Sequence, residues 1–376
     1  MGRAGAPVDQ PTGYAAFVPT PLPPDPPLAY DTPLIGELTG AADAVGRLDG
    51  VAQTLPNPEL FVAMYVRREA VLSSQIEGAQ STLNDVLAYE LEPGRRDLPD
   101  DVEEVVNYVR AMTYGLDRLS QLPLSLRLIR EIHAELLRSG RGAINDPGHF
   151  RRTQNWIGPE GLSLRHASFV PPPPTEMHDA LADLETFLHA DHGFPPLIEC
   201  ALAHAQFETI HPFLDGNGRV GRLLITFLLV HRGTLHRPLL YLSYYLKQHR
   251  AAYYDHLTAI REDGDWEGWL RFFLTGVRQT ADEAVGTTRS IVGLRERHQA
   301  IAMDVAGVNG RRALERLFQR PLTNVTVLAD ELQVTYATAN RILDSLQHAD
   351  VVEEITGGRR NRVFRFTPYL ELFGEG

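Results

Sequence analysis

The chain has 376 residues, 43% of them apolar, which supplies enough buried surface for a large core and two or three domains. A net charge of −12 argues against a protein that coats nucleic acid, and a single cysteine, Cys200, rules out an intrachain disulfide and suits a reducing cytosol. The most apolar run, Leu223 to Val230, is too short to cross a bilayer, and the Pro-rich start has no apolar signal region. A cytoplasmic protein without a membrane partner is therefore expected.

Residues 1 to about 33 hold nine of the 26 prolines and read as an extended arm along the folded body, since proline suits neither helix nor central strand. From Leu34 the periodicity turns helical. Leu60, Ala63, Met64, Arg67 and Val71 recur at three- and four-residue steps, and Val102 to Leu119, Leu126 to Leu137, Met177 to Leu188 and Leu197 to Ile210 are further amphipathic segments, with Ser125 a candidate N-cap. Gly158 to Pro174 breaks this rhythm with glycines, the alternating Ala167-Ser168-Phe169-Val170 and four prolines, which predicts a small hairpin or flap. Beyond about residue 305, Val327 to Leu332 and Tyr336 to Leu346 predict two helices joined by a tight turn. The strand-like runs Val351 to Ile355 and Val363 to Phe366 follow, and together these give the layout of a winged helix. The expected division is an N-terminal arm over 1–50, a helical region over 51–115, a core over 116–275, a linker helix over 276–305 and the winged helix over 306–376.

The chemistry concentrates in His211-Pro212-Phe213-Leu214-Asp215-Gly216-Asn217-Gly218-Arg219-Val220-Gly221-Arg222. A helix runs into His211 and Pro212 stops it; Asp215 to Gly218 form a turn that glycine and asparagine make cheaply, and Arg219 opens a second helix. Free backbone N–H groups at that helix start make an anion site, and Arg219 and Arg222 can address one phosphate group. Asp215 is a hard oxygen ligand suited to Mg²⁺ on a polyphosphate, and His211 is the group here able to accept a proton near pH 7. Gly216 to Gly221 also satisfies GxGxxG, but a helix precedes it and no acidic residue follows about 20 positions later, so a dinucleotide-binding reading is rejected.

This segment resembles the signature HPFx(D/E)GNGRxxR of the Fic family at every specified position. The resemblance implies a mostly α fold: a Fic-type helical bundle with a small β-hairpin flap, joined here to a C-terminal winged helix. It implies transfer of AMP from ATP, with Mg²⁺, to a Ser, Thr or Tyr hydroxyl of a target protein or of the chain itself. His211 would deprotonate the hydroxyl, Asp215 would bind Mg²⁺, Gly216, Asn217 and Gly218 would cradle phosphates, and Arg219 and Arg222 would hold the outer ones. Phe213 would anchor the loop in the core. Upstream, Ser73-Ser74-Gln75-Ile76-Glu77-Gly78 resembles the family's inhibitory pattern (S/T)xxxE(G/N), which implies that Glu77 pairs bidentately with Arg222 and displaces the γ-phosphate. Leu55-Pro56-Asn57-Pro58, Pro147 to Arg151 and Asn155 to Gly158 resemble the same subclass. The flap, with Ser168, Phe169 and Val170, is similar to the family hairpin that registers a target segment by strand addition.

Tyr244 and Tyr245 lie in a tyrosine-rich region and are candidates for an adenine pocket, although their helical spacing suits core packing better. Over 321–376 there are five arginines against eight acidic residues, a poor balance for generic DNA binding, so a protein contact or a homodimer is at least as good a role for that module. The alternatives to adenylyl transfer are removal of AMP or transfer of another phosphate-containing group on the same site, or a nucleotide-sensing DNA-binding regulator. The target protein is not named by the sequence.

Overall fold

The computed structural model describes residues 2–53, 58–158, 164–358 and 360–374. Leu55, Pro56 and Asn57 of the subclass pattern, and Arg359 of the expected wing, lie outside the described residues.

The start of the chain departs from an extended arm. Gly5–Gln10 (β1) and Tyr14–Pro19 (β2) pair as an antiparallel hairpin. Proline is tolerated because Pro7 stands opposite Phe17, whose own N–H turns outward to Val170, so the ladder loses no bond for want of a Pro7 donor. Arg3 pins the hairpin to the body through both carboxylate oxygens of Glu267, at 2.6 and 2.8 Å. The expected boundary at residue 50 runs through a helix, α1 (Thr32–Gln53). Asp31 starts it, its carboxylate accepting from the Leu34 N–H at 2.9 Å, and Pro33 sits in the first turn, where its missing donor costs nothing.

Helices then follow in close succession: α2 (Pro58–Ile76), α3 (Leu83–Leu91), α4 (Val102–Leu119) and α5 (Leu126–Leu136). Ser125 caps α5, accepting from the Leu128 N–H at 3.4 Å. After the flap region come α6 (Pro174–His189), α7 (Pro196–Ile210) and α8 (Asn217–His231). Every residue of α7 from Leu197 to Ile210 is buried, polar ones included, so the segment expected to be amphipathic is instead enclosed on all sides. It packs along α8, which also touches α2, α4 and α5, so the segment between α7 and α8 is fixed from several directions. Two shorter helices, α9 (Ser243–Gln248) and α10 (Arg250–Asp263), lead into α11 (Trp266–Gln319), against which α1 lies lengthwise.

The long run α11 is interrupted at Gly307, whose φ of 62° and ψ of −152° is a conformation open essentially to glycine alone. The chain folds back there: Glu315 returns to Arg295 at 2.7 Å and to Gln299 at 2.6 Å. Beyond it lie β3 (Leu322–Asn324), α12 (Val325–Leu332), α13 (Tyr336–His348), β4 (Glu353–Glu354), β5 (Val363–Arg365) and the short α14 (Thr367–Leu370). The strands form an antiparallel sheet of order β3-β5-β4. Asn324 and Thr335 cap α12 and α13, and Gln333, at φ 57°, closes α12. The three residues of β3 carry too short a pattern to be read as a strand in advance.

Gly307→Ala should lower stability by about 1–3 kcal/mol through backbone strain, measurable by urea denaturation. An unchanged midpoint would show that the fold-back does not depend on this residue's conformation.

Candidate active site

The sharp turn between α7 and α8 is built by its own side chains. His211 ends α7 in the left-handed region, at φ 50° and ψ 59°, its N–H still donating to Phe207. Asn217 spends its amide inside the loop: its carbonyl accepts from the Phe213 N–H and its NH₂ donates to the Phe213 carbonyl, both at 2.8 Å. Phe213 is fully buried and stacks on the ring of His133, 3.7 Å between centroids and 7° from parallel. The Gly148 N–H donates to His133 Nδ1 at 2.8 Å, which leaves Nε2–H to donate to the Asp215 carbonyl at 3.1 Å. Burial pushes His133 down to about 4, so it acts as a neutral brace from α5 to the loop. Arg151 donates from Nε to the His211 carbonyl at 3.0 Å and from Nη2 to Pro172, and Asn155 donates to the carbonyls of His211 and Phe213.

This turn floors a cavity of about 300 Å³ whose lining includes Ser74, Glu77, Glu104, Arg141, His211, Asp215 and Gly216 to Arg219. A larger cavity of about 430 Å³, lined by Val62, Val66, Leu116 and Pro238 among others, contains none of the motif residues. His211 Nδ1 is buried without a hydrogen-bond partner. Burial pushes this imidazole down to about 4 against the opposing pull of the Glu77 charge, so it is neutral at pH 7 with a free lone pair. The Asp215 carboxylate accepts from the Gly216 N–H at 2.6 Å, lies 3.4 Å from Arg219 and from the Asn145 amide, and keeps 39% side-chain exposure, leaving it coordination capacity toward the cavity.

Arg222 is almost wholly enclosed, with 1% of its side chain exposed. Its Nε donates to Ser73 Oγ at 2.8 Å, and its Nη2 to the Ser73 carbonyl at 3.0 Å and to Glu77 Oε1 at 2.8 Å. The pair with Glu77 is single-point, not the bidentate fork expected, because Ser73 takes the other contacts. Burial alone would raise the Glu77 carboxyl, but the charge and hydrogen bond of Arg222 outweigh it and hold Glu77 below the usual carboxylate range. Its carboxylate rests on Gly218, where an added Cβ would collide with Oε1. Arg219, the other motif arginine, has Glu104 of α4 at 3.5 Å.

The flap region is only partly regular. Ile157 and Phe169 exchange two backbone bonds, at 2.8 and 3.0 Å, and Arg261 covers the Phe169 ring at 3.8 Å; residues 159–163, toward the expected tip, lie outside the described residues. Ser168 is exposed, and the Val170 carbonyl accepts from the Phe17 N–H of β2 at 2.8 Å. Tyr244 and Tyr245 do not reach the motif cavity. Tyr245 is buried against His249 and Phe272, and Tyr244 lies beneath Arg68 at 4.9 Å, because the helix start at Ser243 turns both toward α2 and α11.

Residues 123–229 match the Fic/DOC family and residues 35–117 its N-terminal family, described as Fic/DOC family N-terminal. The chain belongs to the Fic/DOC family. A protein adenylyltransferase Fic of Culex quinquefasciatus is 34% identical over 161 residues, which are 42% of this chain and 29% of that protein. The chain thus aligns with less than a third of the length of that curated relative. A Fic family protein from Desulfovibrio desulfuricans G20 shares the fold at a TM-score of 0.60 and 22% identity, covering 90% of this chain and 97% of its own. A Fic domain containing signaling protein from Bacteroides thetaiotaomicron VPI-5482 does so at 0.53 and 19%, covering 66% and 97%.

Three residues that support this Fic site were not singled out by role in the sequence: His133, Asn155 and Glu208. His133 and Asn155 act across a gap in sequence, and Asn155 stood in the subclass pattern without a role. Glu208, one turn before His211, is buried against α8 at Gly221 with Oε1 unpartnered, and burial, opposed by Arg222, raises it to about 7. A carboxyl raised in the fold stabilises below its unfolded value near 4.5, and that stability is lost as pH rises through about 7. Glu208→Gln should therefore raise the melting temperature more at pH 8 than at pH 5. An equal gain at both pH values would show that Glu208 stays ionised in the fold.

Proposed function

We propose that this chain is a protein adenylyltransferase that moves AMP from ATP to a Ser, Thr or Tyr hydroxyl of a target protein and of itself, and that Glu77 holds it back. The observation that carries this reading is the convergence, on one cavity, of an unpartnered neutral imidazole at His211, a helix start facing Asp215, the buried Arg219 and the Glu77 carboxylate that Arg222 holds from behind. Carboxylates at those positions stand in for phosphate oxygens, the other common anion that arginine binds.

In the reaction the target hydroxyl loses its proton to His211, its oxygen forms a bond to the α-phosphorus, and the bond to the β-phosphate oxygen breaks, releasing pyrophosphate. The negative charge of a bound polyphosphate raises the depressed basicity of His211 toward the working range. The backbone N–H groups at the start of α8, with Arg219 and Arg222, neutralise charge on the leaving group and fix its line of departure. Asp215 fits Mg²⁺ as a lone protein carboxylate, with the rest of the shell left to phosphate and water; the ion supplies charge neutralisation when bound. No cluster of three metal-binding side chains occurs among the described residues, which suits a cation carried with its nucleotide.

The exposed edge at Ser168 supports the flap as the place where a target strand is registered, and the Glu77 carboxylate on Gly218 supports inhibition by exclusion of a phosphate. We read β3 to β5 with α12 and α13 as a winged helix used for protein contact. Its Arg362 is spent on Asp344 and Gln347 of α13, the helix that would have to face DNA. No helix among the described residues is long and apolar enough to cross a membrane.

With Mg²⁺ and ATP labelled at the α-phosphate, Glu77→Gly should self-label strongly, wild type weakly and His211→Ala not at all, and chelating Mg²⁺ should abolish the signal. Equal labelling of all three proteins would remove both assignments, and label arriving only from the γ-phosphate would make the chain a kinase.

A further inference from the structure

Arg219 and Arg222 are both neutralised, but from different parts of the chain. Glu77, in the turn that ends α2, takes Arg222, while Glu104 of α4 lies 3.5 Å from Arg219 Nη1. Glu104 has a second cation. Its Oε1 accepts from Arg141 Nε at 3.0 Å and from the Arg141 N–H at 3.3 Å. Both Glu104 and Arg141 line the motif cavity. The Arg219 Nε–H, buried and without an acceptor, marks a guanidinium whose donors are not satisfied by the groups around it. The turn that carries Arg141 is tied to the loop as well, since Asn145 approaches the Asp215 carboxylate at 3.4 Å.

We infer that Glu104 is a second internal stand-in for phosphate, and that Arg141 is a further nucleotide-binding residue, released with Arg219 when a polyphosphate enters. This rests on the nucleotide-transfer reading above but concerns residues outside the motif. The charges explain the arrangement. Two arginines facing one cavity repel each other unless an anion lies between them, and Glu104 supplies it when nucleotide is absent. A polyphosphate offers more charge and more acceptor oxygens than one carboxylate, so it replaces Glu104 while keeping both arginines paired. Arg141 is three-quarters exposed, at 76%, and gives up little by turning inward. AMP, with a single phosphate, gains far less from these groups than ATP.

The test is calorimetric titration of the full chain with MgATP and, separately, AMP, in the Glu77→Gly background. Adding Glu104→Gln should tighten MgATP by roughly tenfold, and adding Arg141→Ala should weaken it by roughly tenfold, the size of one charge-assisted contact, with AMP changed by less than about threefold in either case. Weaker MgATP binding in Glu104→Gln would overturn the proposal and make Glu104 a metal ligand or a support for Arg219. An unaltered affinity in Arg141→Ala would overturn the role of Arg141, and because that side chain is exposed the variant serves even if Glu104→Gln fails to fold. If the Glu77→Gly parent binds MgATP and neither change matters, only this inference falls. If the parent binds no nucleotide, the transfer reading falls with it.

Discussion

A guanidinium buried to 1% exposure cannot be left without acceptors, and Arg222 organises the molecule around that requirement. Its donors reach back to the end of α2, to Ser73 in the last turn of the helix and Glu77 in the turn that follows it. Helix α2 must therefore lie against α8, and the packing of α4 and α9 on α2 keeps it there. The same demand makes the site responsive. Any anion that satisfies Arg222 as well as Glu77 does can take its place, so on the proposed function blockade and substrate binding would be two solutions to one electrostatic problem. Glu77 is well suited to yielding, because it keeps 40% of its side chain exposed while its partner keeps almost none.

The loop that presents His211 is rigid for an unrelated reason. Its backbone carbonyls are consumed by Arg151, Asn155, Asn217 and His133, and Phe213 is wedged under the His133 ring. Asn217, expected to help cradle phosphate, gives its side chain to this internal frame, which leaves its backbone N–H at the start of α8 as its means of meeting an anion. A base held this way would present a fixed lone pair, which is what the proposed in-line transfer requires of His211.

Much of the fold was legible from periodicity. Val102 to Leu119 is a helix to the residue, and α5 and α7 differ from their expected spans by a single residue, because long amphipathic or wholly enclosed runs leave few other ways to satisfy the backbone. The N-terminal hairpin was not legible. Seven of the nine prolines in the first 33 residues lie outside the paired strands, and the two within them, Pro7 and Pro19, occupy positions where a missing donor is harmless or terminal. The tyrosines after the motif misdirect for a similar reason. Aromatic residues suit both base stacking and core packing, and only the direction in which α9 presents its faces distinguishes the two.

The sequence by itself determined the candidate reacting set. His211, Asp215, Gly216, Asn217, Gly218, Arg219 and Arg222 are held close by the chain they share, so their chemistry can be read without knowing the fold. The Glu77 partner of Arg222 was implied by the family resemblance, but the tertiary structure alone decided the single-point geometry of that pair and added Glu104 and His133. Glu77 lies 145 positions from Arg222, and Glu104 and His133 are likewise remote from the loop they touch. Local spacing constrains groups within a turn or two of one another, whereas a contact across such separations exists only once the apolar faces of α2, α4, α5 and α8 have packed together. That packing turns a set of residues suited to phosphate into a site whose arginines already hold the chain's own carboxylates.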